Sequence, residues 1–379
     1  MKTLQLVPAM EQGGVERGVV EINRAIVAEG WENVVVSAGG RLAAQIEADG
    51  GRHITLDVKS KNPLTFLHRA HKLRKLLEVE RPDVVCAHSR LPAWLFVRAN
   101  RKLHIPWISF AHGANSISRY SSVMTRGDLI VTPSHYIAGY LIVNYHVSME
   151  KVRVIPRAID RERFDPEKLD HEFMEAKRKE WGLDGRYVVM GIGRITQIKS
   201  YDILINAVAA LGGRYKLVIV GEAELLRKGV ERELKRLVKD IGAEDNVIFV
   251  GNQSKIAECL ALSNVLVSSN TQKPEAFGRS MMEAIAMGRP VVAKAFGGAL
   301  DIVDDGVNGA LVPGLTPPKD EIISFAMAIR RVAHTRFWNI REDALKKFSF
   351  EKMATKTLAV YRELASGSYR GAVSPRQRK

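Results

Sequence analysis

Twice along this chain, short runs rich in β-branched residues alternate with stretches of helical periodicity, and this alternation restricts the fold more than any other feature. Strands joined by amphipathic helices run in the same direction and form a parallel sheet with helices on both faces. In the first half, strands are expected at residues 4–7, 33–37, 53–58, 83–88, 107–111, 129–132 and 152–156, and the first helix at Gly14–Ala28. In the second half, they are expected at 187–191, 217–220, 247–250, 265–268 and 290–293, separated by helices such as Tyr201–Leu211 and 224–241. The fold class read from this pattern is α/β, with two Rossmann-like domains facing across a cleft. Ligands in such sheets bind beyond the carboxyl ends of the strands.

A length of 379 residues also exceeds one ordinary core. The charged, proline-containing segment 161–170 marks the junction. The expected division is residues 1–160, then 161–349, then a final amphipathic helix at 350–365 and a disordered basic tail at 366–379. Cys86 and Cys259 lie in apolar runs and read as buried free thiols of a reducing compartment. The N-terminus lacks the apolar stretch of a signal peptide, and no run reaches the ~18 apolar residues of a spanning helix. A cytoplasmic protein, soluble or peripheral, is the expectation.

The formal net charge of +15 calls for an anionic partner: nucleic acid, a phosphorylated substrate or a membrane surface. Residues 59–102 hold eleven Lys/Arg against three Asp/Glu, an excess of eight. Any single charge there also suits an ordinary solvated helix face. No RNP-type aromatic motif or helix-turn-helix pattern accompanies the charge, so nucleic acid is not the expected partner.

Chemistry concentrates in the second half. Pro274-Glu275-Ala276-Phe277-Gly278-Arg279-Ser280 follows a strand and enters a helix, with Glu283 eight positions after Glu275. Eight residues span ~12 Å of helix axis at ~1.5 Å each. The helix start favours an anion, and a carboxylate at each end can accept hydrogen bonds from sugar hydroxyls. A diphosphate flanked by two sugar rings suits that layout, although two ordinary helix acids give the same spacing. A second loop, Gly191-Ile192-Gly193-Arg194 through Lys199-Ser200, leaves one strand and opens the next helix. Arg194 offers a planar fork to phosphate oxygens and Lys199 a compact charge. Both would stabilise charge growing on a leaving diphosphate.

These residues, with Gly297-Gly298-Ala299, resemble the retaining glycosyltransferases of family 4, which have the GT-B fold. The resemblance runs from about residue 4 to 364, and it implies that the last helix crosses back to the first domain. It gives the first domain the acceptor and the second the nucleotide-sugar donor. Arg194 and Lys199 then bind the diphosphate, Glu283 the ribose and Glu275 the transferred sugar. Ala276, Phe277 and Gly278 face the sugar or phosphate through backbone, and Val250 and Gly251 hold the base. Gly193 and Gly14 belong to loops that approach the donor. His112, which ends a strand before Gly113, falls at the donor sugar. The catalytic set is therefore His112, Arg194, Lys199 and Glu275, with a UDP-, GDP- or ADP-sugar as substrate, no cofactor and no metal. The chain contains no Asp-x-Asp motif. The resemblance implies retention of anomeric configuration, and no residue is assigned as an enzymatic nucleophile. Two positions depart from the family pattern: Ser200 stands where glycine is usual, and Pro156-Arg157-Ala158-Ile159-Asp160 replaces Pro-Asn-Gly-x-Asp.

Within the family, Gly13–Gly18, Ser60-Lys61-Asn62-Pro63 and residues 157–166 look most like the lipopolysaccharide-core branch. This implies a hexosyltransferase acting on a glycolipid at the inner face of the cytoplasmic membrane. Arg69, Lys72, Lys75, Arg98, Arg101 and Lys102 are then the candidate contacts to an anionic surface, with Trp94 and Phe96 as interfacial anchors. Rival readings are a same-fold enzyme with a soluble acceptor (a sucrose- or trehalose-type synthase, or an epimerase) and a non-catalytic binding protein.

Overall fold

The computed structural model describes residues 1–223, 228–314 and 318–367. Residues 224–227 of the expected helix at 224–241, and the expected tail from 368 on, lie outside them. The chain divides into two compact units, residues 1–158 with 350–379, and residues 159–349.

The first unit is a seven-stranded, wholly parallel sheet, ordered β3-β2-β1-β4-β5-β6-β7. Its strands are β1 (Lys2–Leu6), β2 (Glu32–Ser37), β3 (Arg52–Thr55), β4 (Val84–Ala87), β5 (Trp107–Phe110), β6 (Leu129–Thr132) and β7 (Val152–Val154). The order reverses between β1 and β4, whose register pairs Leu4 with Val85 and Leu6 with Ala87. The runs are almost wholly apolar because both faces are covered: every residue of β4, β5 and β6 is buried. The helix Gly14–Ala28 turns Val19, Val20, Ile22 and Ile26 inward at helical spacing. The last helix, Phe350–Ala365, belongs to this unit, as the resemblance implied. Its Met353, Leu358, Tyr361 and Leu364 share one core with Ile22, Cys86, Phe110 and Leu129. Arg153 bridges to Glu363 on the same helix at 2.5 Å.

The second unit is a six-stranded parallel sheet, ordered β10-β9-β8-β11-β12-β13. It comprises β8 (Tyr187–Ile192), β9 (Tyr215–Val220), β10 (Val247–Phe249), β11 (Val265–Ser268), β12 (Val291–Lys294) and β13 (Gly309–Val312). The edge strand β13 is an addition to the sequence reading. Its first residue is glycine for a packing reason: a Cβ on Gly309 would lie 1.9 Å from the Val291 carbonyl oxygen on β12. Both units thus have the doubly wound architecture expected, and both cysteines are buried and free.

Two expectations about the basic region need correction. Helix Phe66–Glu80 buries Ala70, Leu73 and Leu77 as its spacing required, but it also buries Arg69, which is 4% exposed. The Arg69 guanidinium turns back, donating to the Asn62 carbonyl at 3.1 Å and to Thr65 Oγ1 at 3.1 Å. It therefore ties down the turn before the helix instead of meeting a surface. Phe96, on helix Arg90–Ala99, is a core residue packed on Trp107 and is no interfacial anchor. Trp94 is half-buried, with Nε1 donating to the Tyr120 carbonyl and Arg126 over its ring.

Candidate active site

In the second unit, β8 delivers the loop that carries Gly193, Arg194 and Lys199. Gly193 has φ 147°, a conformation open to glycine. The neighbouring βα turn packs against it backbone to backbone, since a Cβ on Gly221 would lie 2.1 Å from the Gly193 oxygen. Lys199 closes a short 3-10 turn (Gln197–Lys199), and its ammonium is ion-paired with the Glu275 carboxylate. The two residues 76 positions apart that the sequence singled out are therefore in contact. Both remain partly exposed, at 20% and 25% of their side chains, so incoming groups can reach them.

Ser200 adopts φ 46°, ψ 46°, the left-handed conformation glycine would take without cost. For an L-residue that costs roughly 1–2 kcal/mol. Hydrogen bonding offsets part of it: the Ser200 hydroxyl meets Thr271 Oγ1 at 3.0 Å and accepts from the Thr271 amide at 3.4 Å. Ser269 Oγ donates to the Lys199 carbonyl at 2.7 Å. The departure from glycine thus stitches the Lys199 turn to the segment after β11. Behind that segment lies a buried ion pair, Lys294 with Glu321, each only 6% exposed, and Lys294 Nζ also reaches the Thr271 carbonyl at 3.5 Å.

Glu275 is held from below by glycines. A Cβ on Gly297 would lie 2.8 Å from the Glu275 oxygen, and one on Gly298 would lie 2.4 Å from the Phe277 oxygen. The Gly298 amide donates to the Glu275 carbonyl at 2.8 Å. Gly-Gly-Ala at 297–299 therefore acts as a floor that lets two backbones touch. The Phe277 ring packs into the core against Phe348, leaving only backbone for any ligand, while Ala276 stays half-buried. Gly278, at φ 100°, caps the helix Arg279–Ala286.

Glu283, one helical turn after Arg279, is largely buried and stands 3.4 Å from the Arg279 guanidinium. Burial raises its pKa above the ordinary carboxylate value, against the lowering effect of Arg279 and Arg163. Both backbone groups of Val250 are engaged: its amide donates to the Ile219 carbonyl at 3.0 Å, and its carbonyl accepts from Gln253 Nε2 at 2.6 Å. Gly251, at φ 66°, accepts from the Gly221 amide at 2.8 Å. Glu222, which the sequence reading passed over, anchors this turn by accepting from Asn252 Nδ2 at 3.0 Å.

In the first unit, His112 follows β5, and both its ring nitrogens are occupied. Nδ1 meets the Arg157 guanidinium at 2.7 Å, and Nε2 meets His88 Nδ1 at 3.1 Å. Burial, then Arg157, then His88 hold its pKa well below the usual histidine value. Gly14 opens the first helix, and Glu16 folds its carboxylate over that end: a Cβ on Gly13 would lie 2.2 Å from Glu16 Oε2.

Two family models match the chain: "Glycosyltransferase Family 4" over residues 12–163 and "Glycosyl transferases group 1" over residues 173–347. The chain is a GT-B glycosyltransferase of the family 4 type. It is 25% identical to an uncharacterised glycosyltransferase of Methanocaldococcus jannaschii, covering 92% of this chain and 94% of that protein. It is 29% identical to a D-inositol 3-phosphate glycosyltransferase of Geodermatophilus obscurus over 76% of this chain and 69% of that one. A solved glycosyltransferase of Rickettsia africae superimposes with TM-score 0.80 at 26% identity, covering 96% and 98% of the two chains. An Anabaena protein in complex with UDP and glucose gives 0.78 at 22% identity, over 96% of this chain and 100% of that one. A lipopolysaccharide outer core galactosyltransferase gives 0.73 at 17%, over 95% of this chain and 100% of that one.

Within this glycosyltransferase, the second-unit candidates Gly193, Arg194, Lys199, Val250, Gly251 and Glu275 to Gly278 follow the carboxyl ends of β8, β10 and β11, where ligands of doubly wound sheets bind, and Glu283 lies farther along the helix Arg279–Ala286. Arg194 is exposed in the loop after β8. Lys72, Lys75, Arg98, Arg101 and Lys102 are exposed on the first unit. Arg157, the partner of His112, escaped the sequence reading except as a departure from the family pattern.

Proposed function

We propose that this glycosyltransferase moves a hexose, with retention and without a metal, from a nucleotide-diphosphate sugar to a glycolipid of the lipopolysaccharide core or a related envelope glycan. The observation that carries the donor half is the Lys199–Glu275 pair beside the Gly278-capped helix start. It sets a cation for the diphosphate against a carboxylate for sugar hydroxyls. The residues 1–160 take the acceptor role in this reading, and 161–349 the donor role. UDP is the first donor to try, because the Anabaena structure of like fold carries UDP. A thermal-shift series of UDP-, GDP- and ADP-sugars in EDTA tests the reading. One nucleotide should raise the melting temperature, with stabilisation of about 2.7 kcal/mol at a hundredfold excess over Kd. No shift with any donor, together with no turnover on lipid or soluble acceptors, would overturn it.

The acceptor half rests on the basic face. Leu64 is 90% exposed and Leu67 62%, and both are ringed in sequence by the exposed Lys59, Lys61, Lys72 and Lys75. Apolar tips among cations match an anionic bilayer, and the enzyme would work as a peripheral protein on the cytoplasmic leaflet. Lys72→Glu with Lys75→Glu should weaken binding to phosphatidylglycerol vesicles. The two lost attractions, about 1 kcal/mol each, amount to about thirtyfold, measured by vesicle co-sedimentation. Undiminished binding would leave these residues as solvated surface. A second reading, a soluble phosphorylated polyol acceptor, is favoured by the relatives named D-inositol 3-phosphate glycosyltransferases. Turnover on such an acceptor without vesicles would decide for it.

A further inference from the structure

Arg157, His112, His88 and Gln5 form one hydrogen-bonded chain through the first unit, and its direction can be worked out. A guanidinium only donates, so His112 Nδ1, 2.7 Å from Arg157 Nη2, must be the accepting nitrogen. A neutral ring then carries its proton on Nε2 and donates it across 3.1 Å to His88 Nδ1. His88 in turn carries its proton on Nε2 and donates to Gln5 Oε1 at 2.9 Å. Gln5 lies in β1 and is fully buried, and its Nε2 has no hydrogen-bond partner. Turning the Gln5 amide to use that nitrogen would reverse every bond in the chain. It would end with His112 Nδ1–H pointing at the Arg157 N–H. The unsatisfied amide therefore marks which end dictates the order.

We propose that Arg157, acting with His88, is a positioning residue that locks His112 as a neutral imidazole protonated on Nε2. The proposal rests on the reading of His112 as a catalytic residue. The seat for Arg157 is built into the first helix: a Cβ on Gly18 would lie 1.9 Å from Arg157 Nη1. Protonating either ring would place a second proton between the two histidines or one against the guanidinium. Burial and Arg157 accordingly hold His88 down at about 3, and His112 well below its ordinary value. The small cavity beside them is also lined by Ile22, Thr132, Met353 and Thr357, and among its lining residues only His112 and Arg157 are charged or titratable. With Nδ1 filled by Arg157 and Nε2 by His88, a sugar hydroxyl can hydrogen-bond to the ring only if one of these two bonds is given up.

Two variants disturb the lock differently. Arg157→Met removes the donor, and Gly18→Ala keeps it but fills its seat with a residue that favours helix. Nitrogen-15 NMR of the imidazoles reads the tautomer directly. In the parent protein, His112 should show an unprotonated Nδ1 and no titration between pH 5 and 8. In both variants the fixed tautomer should be lost and the pKa of His112 should rise, because one of the groups that hold it down is gone or displaced while burial remains. The activity of both should acquire an acid limb, with kcat/KM down about tenfold one pH unit below that pKa. Titration of His112 near 6.5 in the parent, or an unaltered lock in Arg157→Met, would overturn the proposal. If NMR changes as expected while both activity profiles stay flat, the lock stands and the catalytic reading of His112 fails.

Discussion

Lys199→Ala should cost about two to three orders of magnitude in kcat/KM on the donor identified by thermal shift. Removing one preorganised group that stabilises developing charge costs about 10²–10³ in rate, roughly 2.7–4 kcal/mol. Here the loss has a second part. Lys199 is paired with Glu275, so its removal leaves that carboxylate uncompensated beside an anionic leaving group. Glu275→Gln removes a negative charge from the same place and should harm turnover through the sugar, with a smaller loss of nucleotide affinity. The double variant should therefore be less impaired in nucleotide binding than the sum of the two, because residues in contact do not act independently. Calorimetric titration of the free nucleotide with the four proteins of the cycle measures this. Additive losses, or a Lys199→Ala enzyme within threefold of the parent, would mean that the pair has no role at the diphosphate.

The pair also explains why its members could be picked from sequence but not joined. Lys199 and Glu275 each sit in a recognisable strand-to-helix loop, and strand order alone decides whether two such loops meet. β8 and β11 are neighbours, pairing Val265 with Val189, and this brings the loops together. Among the described residues twelve of the thirteen strands were legible, the central ones because strands buried on both faces announce themselves as apolar runs. β13 was not, because its glycine start reads as a turn, and the reason for that glycine lies on another strand. Helical spacing sorted the inner face of Phe66–Glu80 correctly, yet it placed Arg69 by the direction of its Cα–Cβ bond. A long side chain can fold back and bury its head, as Arg69 does on Asn62. Arg157 and His112 are 45 positions apart, on loops after β7 and β5, and nothing local to either announces the contact. The glycines at 18, 297 and 298 were informative in a way that only the fold reveals. Each leaves room for a particular neighbour: a guanidinium, the Glu275 oxygen and the Phe277 oxygen.

Tyr361→Ala should destabilise the first unit by about 3–5 kcal/mol, the usual cost of truncating a buried aromatic. Tyr361 is fully buried although it lies in the last helix, more than two hundred residues beyond the strands it covers. It fills the core between the helix and β4, where its hydroxyl accepts from the Cys86 thiol at 2.9 Å. Burial raises the pKa of that thiol, so it stays protonated and remains a donor. For a unit of this size, each kcal/mol moves the melting temperature by about 2–4 °C, which makes the expected shift about 6–20 °C. Tyr361→Phe isolates the hydroxyl and should cost about 1 kcal/mol, because it keeps the ring and loses one hydrogen bond. Two units need not melt together, so hydrogen exchange read strand by strand is the decisive measurement. In Tyr361→Ala, β4, β5 and β6 should lose protection, while β8, β11 and β12 keep theirs. Equal loss in both sheets would mean that the last helix braces the whole chain, and unchanged protection in β4 would mean that it lies on the first unit without completing its core.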